Sequence, residues 1–145
     1  MSKSAIFKKR PSRAGSISWQ LAQTFWVGGL WLLHFVVLPA LGKVGLAPLL
    51  IEDVASALSP LMVGFAAFCA MLQALVLIQA ERLSSLWRDM RGQLLLTVIL
   101  MAIVYFVVRE GQSTATFWLT FNYLVLAFCG LMLVLQPVPG QDGGR

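Results

Sequence analysis

Four long apolar blocks dominate the chain: Ile17 to Leu38, Leu61 to Ala80, Leu94 to Val108 and Ala115 to Leu135. Each meets or approaches the length of about 20 residues that a helix needs to cross the hydrocarbon of a bilayer. The blocks are continuous. A transmembrane barrel strand would instead alternate apolar and polar residues in segments of about ten. The pattern therefore predicts four transmembrane helices, at about 17–39, 60–80, 92–109 and 115–135, with the third borrowing Gly92 and Gln93 to reach full length. Together they form a single domain, 17–136, between a basic tail at 1–16 and a Pro- and Gly-rich tail at 137–145. The predicted fold class is an all-α membrane four-helix bundle.

Periodicity also organises the connections. In "GKVGLAPLLIEDVASALSP", Leu46, Leu49, Leu50, Val54, Ala57 and Leu58 recur at helical spacing, with Glu52 and Asp53 on the polar side. Pro48 suits a first helical turn. The stretch predicts a short amphipathic helix lying on the membrane surface before Pro60 opens the second span. In "ERLSSLWRDMRG", Leu83, Leu86, Trp87 and Met90 face away from Glu81, Arg88 and Asp89, which predicts a second interfacial helix with Trp87 as its anchor. The third connection, "REGQST", leaves room only for a tight turn, so the last two spans form an antiparallel hairpin.

Composition agrees with this reading: 59% of residues are hydrophobic and only 12% are charged, against about a quarter in a typical soluble domain. The charges are unevenly placed. Lys3, Lys8, Lys9, Arg10 and Arg13 precede the first span and Arg82, Arg88 and Arg91 lie between the second and third, whereas the opposite side receives Lys43 and Arg109. Basic loops stay in the cytoplasm. That rule places both termini and the loop between the second and third spans in the cytoplasm, and the net charge of +5 then reflects topology and attraction of the tail to anionic lipid. The tail lacks interleaved aromatics, so nucleic acid is not an expected partner. Ala40-Leu41-Gly42 has the small-x-small form of a cleavage site, but the preceding apolar run exceeds a signal peptide core of about 7 to 15 residues and contains Gln20 and Gln23. The first helix is read as a retained span.

Candidate chemistry is confined to a few polar side chains within the spans. Gln20, Gln23 and His34 fall on one side of the first helix; Met62, Cys69 and Gln73 line up on the second; Thr97, Met101 and Tyr105 follow one another by four on the third; Asn122, Cys129 and Gln136 follow by seven on the fourth. Polar groups in hydrocarbon should face the bundle interior, so Gln20, Gln23, His34, Gln73 and Asn122 are expected to form a polar seam. Copper or haem ligation would draw on His34, Cys69, Met62 and Cys129. Their spacing matches no recognised ligand set, and structural hydrogen bonding with apolar filling is the expected role. No metal or cofactor is expected. Reduced, unpaired thiols are expected for both cysteines. Gly28-Gly29, flanked by Trp26 and Trp31 and followed by Pro39, is expected to admit a closely packed helix. Trp118 and Tyr123 are assigned to the interfacial aromatic belt. No phosphate loop, nucleophile elbow or zinc-hydrolase motif occurs, and every acidic residue lies outside the spans, so no enzyme is expected.

The stretches "LAQTFWVGGLWLLHFVVLPAL", "LMVGFAAFCAMLQ" and "RGQLLLTVILMAIVYF" resemble the small bacterial inner-membrane proteins grouped as domain of unknown function 4149, which are similar to the eukaryotic transmembrane protein 205 group. The resemblance covers Ser18 to Leu135, and its most specific part is Trp26-Val27-Gly28-Gly29 with Pro39 closing the helix. It implies a multi-pass membrane protein with no assigned reaction. The eukaryotic group's link to drug and metal export would reach this chain only through fold. A shorter echo, an aromatic residue ahead of a glycine pair in a first span, also resembles copper resistance protein D-like membrane proteins. Those rely on histidines in several spans, whereas His34 is the one histidine here. The expected function is that of a small helix-packing or accessory subunit, in a homo-oligomer or a larger membrane complex. The alternatives are a carrier of a metal or hydrophobic solute along the seam, and a cofactor-bearing redox subunit.

Overall fold

The computed structural model describes residues 13–81, 84–111 and 116–137. Its elements are α1 (Arg13–Leu32), a π-helical segment (Leu33–Val37), α2 (Leu38–Lys43), α3 (Pro48–Glu81), α4 (Ser85–Arg88), α5 (Met90–Gly111) and α6 (Thr116–Val134). No strand occurs among the described residues. Four helical stretches, Ala14–Lys43, Pro48–Gln79, Met90–Gly111 and Thr116–Val134, are long and apolar enough to cross a membrane. The protein is a multi-pass, all-α bundle. The basic residues at 3–10, Arg82, the turn at 112–115 and the tail beyond Pro137 lie outside the described residues.

The spans pack in a ring: α1 against α3, α3 against α5, α5 against α6, and α6 back against α1, with little contact across the α3–α6 diagonal. Consecutive spans are antiparallel. Inward positions are Trp19, Gln23, Trp26, Val27 and Leu30 on α1 and Leu33 in the π-helical segment, and the apolar ones join Val63, Ala66, Ala70 and Leu77 of α3, Leu95, Val98 and Ala102 of α5, and Leu126, Ala127 and Leu133 of α6 in one core. The outward faces are equally apolar: Phe25 is 66% exposed and Phe117 75%. Large apolar side chains exposed in this number fit lipid, not water.

Two features depart from expectation. The amphipathic segment ahead of the second span is helical, but it is not a separate surface helix. It forms the first turns of α3, which runs unbroken for 34 residues with Pro60 inside it. Proline removes a single backbone donor, and a neighbouring span can cover the lost bond within a bundle; Pro60 is buried. The second departure is the π-helical segment, in which the Leu38 amide donates to the Leu33 carbonyl, five residues back. Pro39 explains it: the residue has no amide hydrogen, and its ring crowds the carbonyl four residues earlier, that of Phe35. A wider turn relieves both. The second connection contains the expected short helix, α4, whose Trp87 is 76% exposed.

Candidate functional site

The polar side chains of the spans sort into two levels. At the lower level, nearer the chain termini, Gln73 of α3 reaches across to α1. Its Oε1 accepts from Trp26 Nε1 at 3.1 Å and its Nε2 donates to the Trp19 carbonyl at 3.2 Å. Trp26 and Gln73 are each 1% exposed, and Trp19 is 2% exposed, so both bonds lie in a dry interior where each polar atom must find a partner. A helical side chain leans toward the N-terminus of its own helix, which brings the Trp26 indole back over the turn beginning at Trp19. One carboxamide thereby ties two turns of α1 to α3.

At the upper level α1 and α6 exchange bonds. Tyr123 Oη donates to the Leu30 carbonyl at 2.8 Å, and Trp31 Nε1 donates to the Ala127 carbonyl at 3.1 Å. Each helix thus supplies an aromatic donor to the other's backbone. Tyr123, read from sequence as an interfacial belt residue, is instead 4% exposed and belongs to the core; only Trp118, 63% exposed, keeps the belt position. His34 is half-buried beside this pair, with its ring 5.7 Å from that of Tyr123 and edge-on to Phe35 at 5.1 Å.

The single seam expected of Gln20, Gln23, His34, Gln73 and Asn122 is therefore not formed. Gln23, Gln73 and Asn122 are buried, but Gln73 serves the lower level, Asn122 lies between α5 and α6, and Gln20 is exposed. The reason is angular. At about 100° per residue, Gln20 stands roughly 85° from the centre of the buried face of α1, whereas His34 stands about 45° from it and sits at the rim. Gln23 Nε2 and Asn122 Oδ1 are buried without a hydrogen-bond partner among the described residues.

The expected metal donors are not gathered either. Cys69 and Cys129 are buried free thiols, and no group of three His, Cys, Asp or Glu side chains able to hold a metal occurs among the described residues. Met62 packs its Sδ against Gly29, 3.4 Å from where a Cβ would stand.

Close approach occurs away from the expected glycine pair. Gly28 is exposed and would meet nothing within 4 Å. Pro39 is exposed as well. The crowded glycines are Gly130, where a Cβ would lie 2.8 Å from Trp26 Cζ3 and Val27 Cγ2, and Gly92, where it would lie 2.5 Å from the Leu86 backbone. The turn at Gly45 needs glycine for its backbone, at φ +87°.

On the outer surface, Gln20, Thr24 and Gly28 follow one another at four-residue spacing along α1, and all three are exposed. The Thr24 hydroxyl is turned back onto the Gln20 carbonyl at 2.8 Å. Between α5 and α6, Met101, Val104, Tyr105, Val108, Trp118, Leu119, Phe121 and Asn122 line a cleft of about 150 Å³.

Comparison with known proteins identifies no match: no protein-family model, no curated protein and no solved structure is similar to the chain.

Proposed function

We propose that this chain is a non-enzymatic, helix-packing subunit of a larger assembly in a bacterial inner membrane, docking through the outer face of α1. The observation that carries the reading is the exposed line Gln20, Thr24, Gly28. Small residues four apart let a second helix backbone come close in lipid, and a carboxamide beside them supplies an interhelical hydrogen bond. A lipid-facing carboxamide otherwise lacks the partner that water would provide. Gly28 has open space around it, so the face is free to be covered. The intramolecular contacts support the same conclusion: the indole donors of α1, Trp26 and Trp31, are used in holding the bundle together.

The distribution of Lys and Arg supports cytoplasmic termini. A metal carrier running along His34, Cys69 and Cys129 draws less support, because those donors do not form a common group.

The test is purification of tagged protein at native expression in mild detergent, followed by identification of stoichiometric components. Wild type is compared with Gly28→Leu and Gln20→Leu. Loss of one defined membrane partner in both variants, with thermal unfolding unchanged, is the expected result. Recovery of a monomer from wild type, or retention of the same partner by both variants, rejects the reading.

A further inference from the structure

A groove runs between α3 and α5 at the end of the bundle away from the chain termini. Ala57, Pro60, Leu61, Gly64 and Phe65 of α3 line it with Phe106 and Arg109 of α5, around a space of about 600 Å³. Ala57, Leu61, Phe65 and Phe106 are exposed, so the groove opens sideways onto the surface that lipid covers. Its apolar part runs from Ala57 to Phe65, about 12 Å along a helix. Of the described residues that line it, Arg109 alone is charged. That side chain is exposed and stands two residues before the end of α5 at Gly111. The site is thus an apolar trough with one guanidinium at its head.

Each feature narrows the occupant. The volume falls within the range of about 300 to 1,000 Å³ that ligand sites enclose. A long basic side chain near the end of a span reaches headgroup level. Its planar fork matches two oxygens of a phosphate, and no carboxylate among the described lining residues competes for it. A free anion would leave the trough uncovered, whereas an amphiphile supplies hydrocarbon below and negative charge above. A second helix fits less well. Phe106 Cζ lies 3.7 Å from where a Cβ of Gly64 would stand, so a ring already covers the glycine at which another backbone could come close. A methylene chain needs no such approach. We propose that this groove holds one phospholipid, with an acyl chain along Leu61, Phe65 and Phe106 and the phosphate on the Arg109 guanidinium. The groove lies between α3 and α5 and the docking reading uses the outer face of α1, so the two are measured independently.

Native mass spectrometry of the full chain in mild detergent, titrated with dioleoyl phosphatidylethanolamine or with dioleoylglycerol, tests the site. The two lipids share their chains and differ in the phosphate headgroup. Wild type should take up one phospholipid about tenfold more tightly than the diacylglycerol, the lower end of what a hydrogen bond to a charged group contributes. Arg109→Gln should bind diacylglycerol as before and lose the preference. Ala57→Trp and Leu61→Trp, both at exposed positions, should weaken uptake of either lipid with thermal unfolding unchanged. Equal affinity of wild type for the two lipids overturns the proposal. So does an unchanged preference in Arg109→Gln, or full uptake by both tryptophan variants. A lipid-free dimer that Ala57→Trp and Leu61→Trp dissociate would also overturn it, and would assign the groove to a second copy of the chain.

Discussion

Replacing Gln73 with Leu keeps the side chain's size but removes both of its bonds, from Trp26 Nε1 at 3.1 Å and to the Trp19 carbonyl at 3.2 Å. Interhelical hydrogen bonds within membranes contribute about 0.6 kcal/mol on average and about 1.7 at most. The two bonds together account for about 1 to 2 kcal/mol. The indole N–H of Trp26, 1% exposed, is then left in an apolar interior, which costs about 1 to 3 kcal/mol more. Trp19's carbonyl still accepts within its own helix, so its loss is smaller. Gln73→Leu should therefore destabilise the bundle by about 2 to 5 kcal/mol. Trp26→Phe has its own packing cost, but it removes the donor that Gln73→Leu orphans. The double variant should consequently be less destabilised than the sum of the singles, by about 1 to 2 kcal/mol. Reversible unfolding in mixed micelles of mild detergent and dodecyl sulfate, followed by circular dichroism, measures all four proteins. Strict additivity would show that Trp26 and Gln73 do not act as a pair, and the account of the lower level would fail.

Other substitutions separate packing from polar contacts in the same unfolding measurement. Gly130→Ala sets a methyl 2.8 Å from the Trp26 ring and Val27 and should cost about 1 to 3 kcal/mol by overpacking, whereas Gly28→Ala, facing open space, should leave stability unchanged. Gly92→Ala should be the more damaging of the crowded pair, because the obstacle is the Leu86 backbone and not a side chain that can turn; loss of the folded fraction checks this. Tyr123→Phe deletes the bond to the Leu30 carbonyl and should cost about 0.6 to 1.7 kcal/mol. Gln23→Leu removes a buried amide nitrogen with no partner among the described residues and should be neutral or stabilising by about 1 kcal/mol; a clear loss of stability would reveal that Nε2 is satisfied by lipid or water.

The number of spans was legible because a bilayer sorts residues by hydropathy over about 20 positions, a signal that each block carries by itself. Rotation about the helix axis was less legible. Gln20 and Gln23 are the same residue type three positions apart, yet one is exposed and the other buried, and only the partners of α1 decide which. Tyr123 was misplaced for a related reason: a tyrosine near the end of a span reads as an interfacial anchor, and its bond to Leu30 depends on how α6 registers against α1. The same register makes Gly130 the crowded glycine and leaves Gly28 open, although the pair at 28–29 was the more conspicuous signal. The π-helical segment had a visible cause in Pro39, but a proline directly after an apolar block reads equally well as the end of the helix.

The buried carboxamides show why similar groups in one bundle do different work. Gln23 and Asn122 are both buried and both carry an atom without a partner. Trp19, Trp26 and Leu30 on the same helix are buried with Gln23, and the clamp of Gln73 engages the Trp26 indole and the Trp19 carbonyl instead. Asn122 Oδ1 is likewise enclosed, on α6 where that helix packs against α5. An unsatisfied group in a closed core lowers stability, whereas a carboxamide with both ends engaged joins the helices it reaches. Polarity that holds the spans together is therefore concentrated where α1 meets α3 and α6.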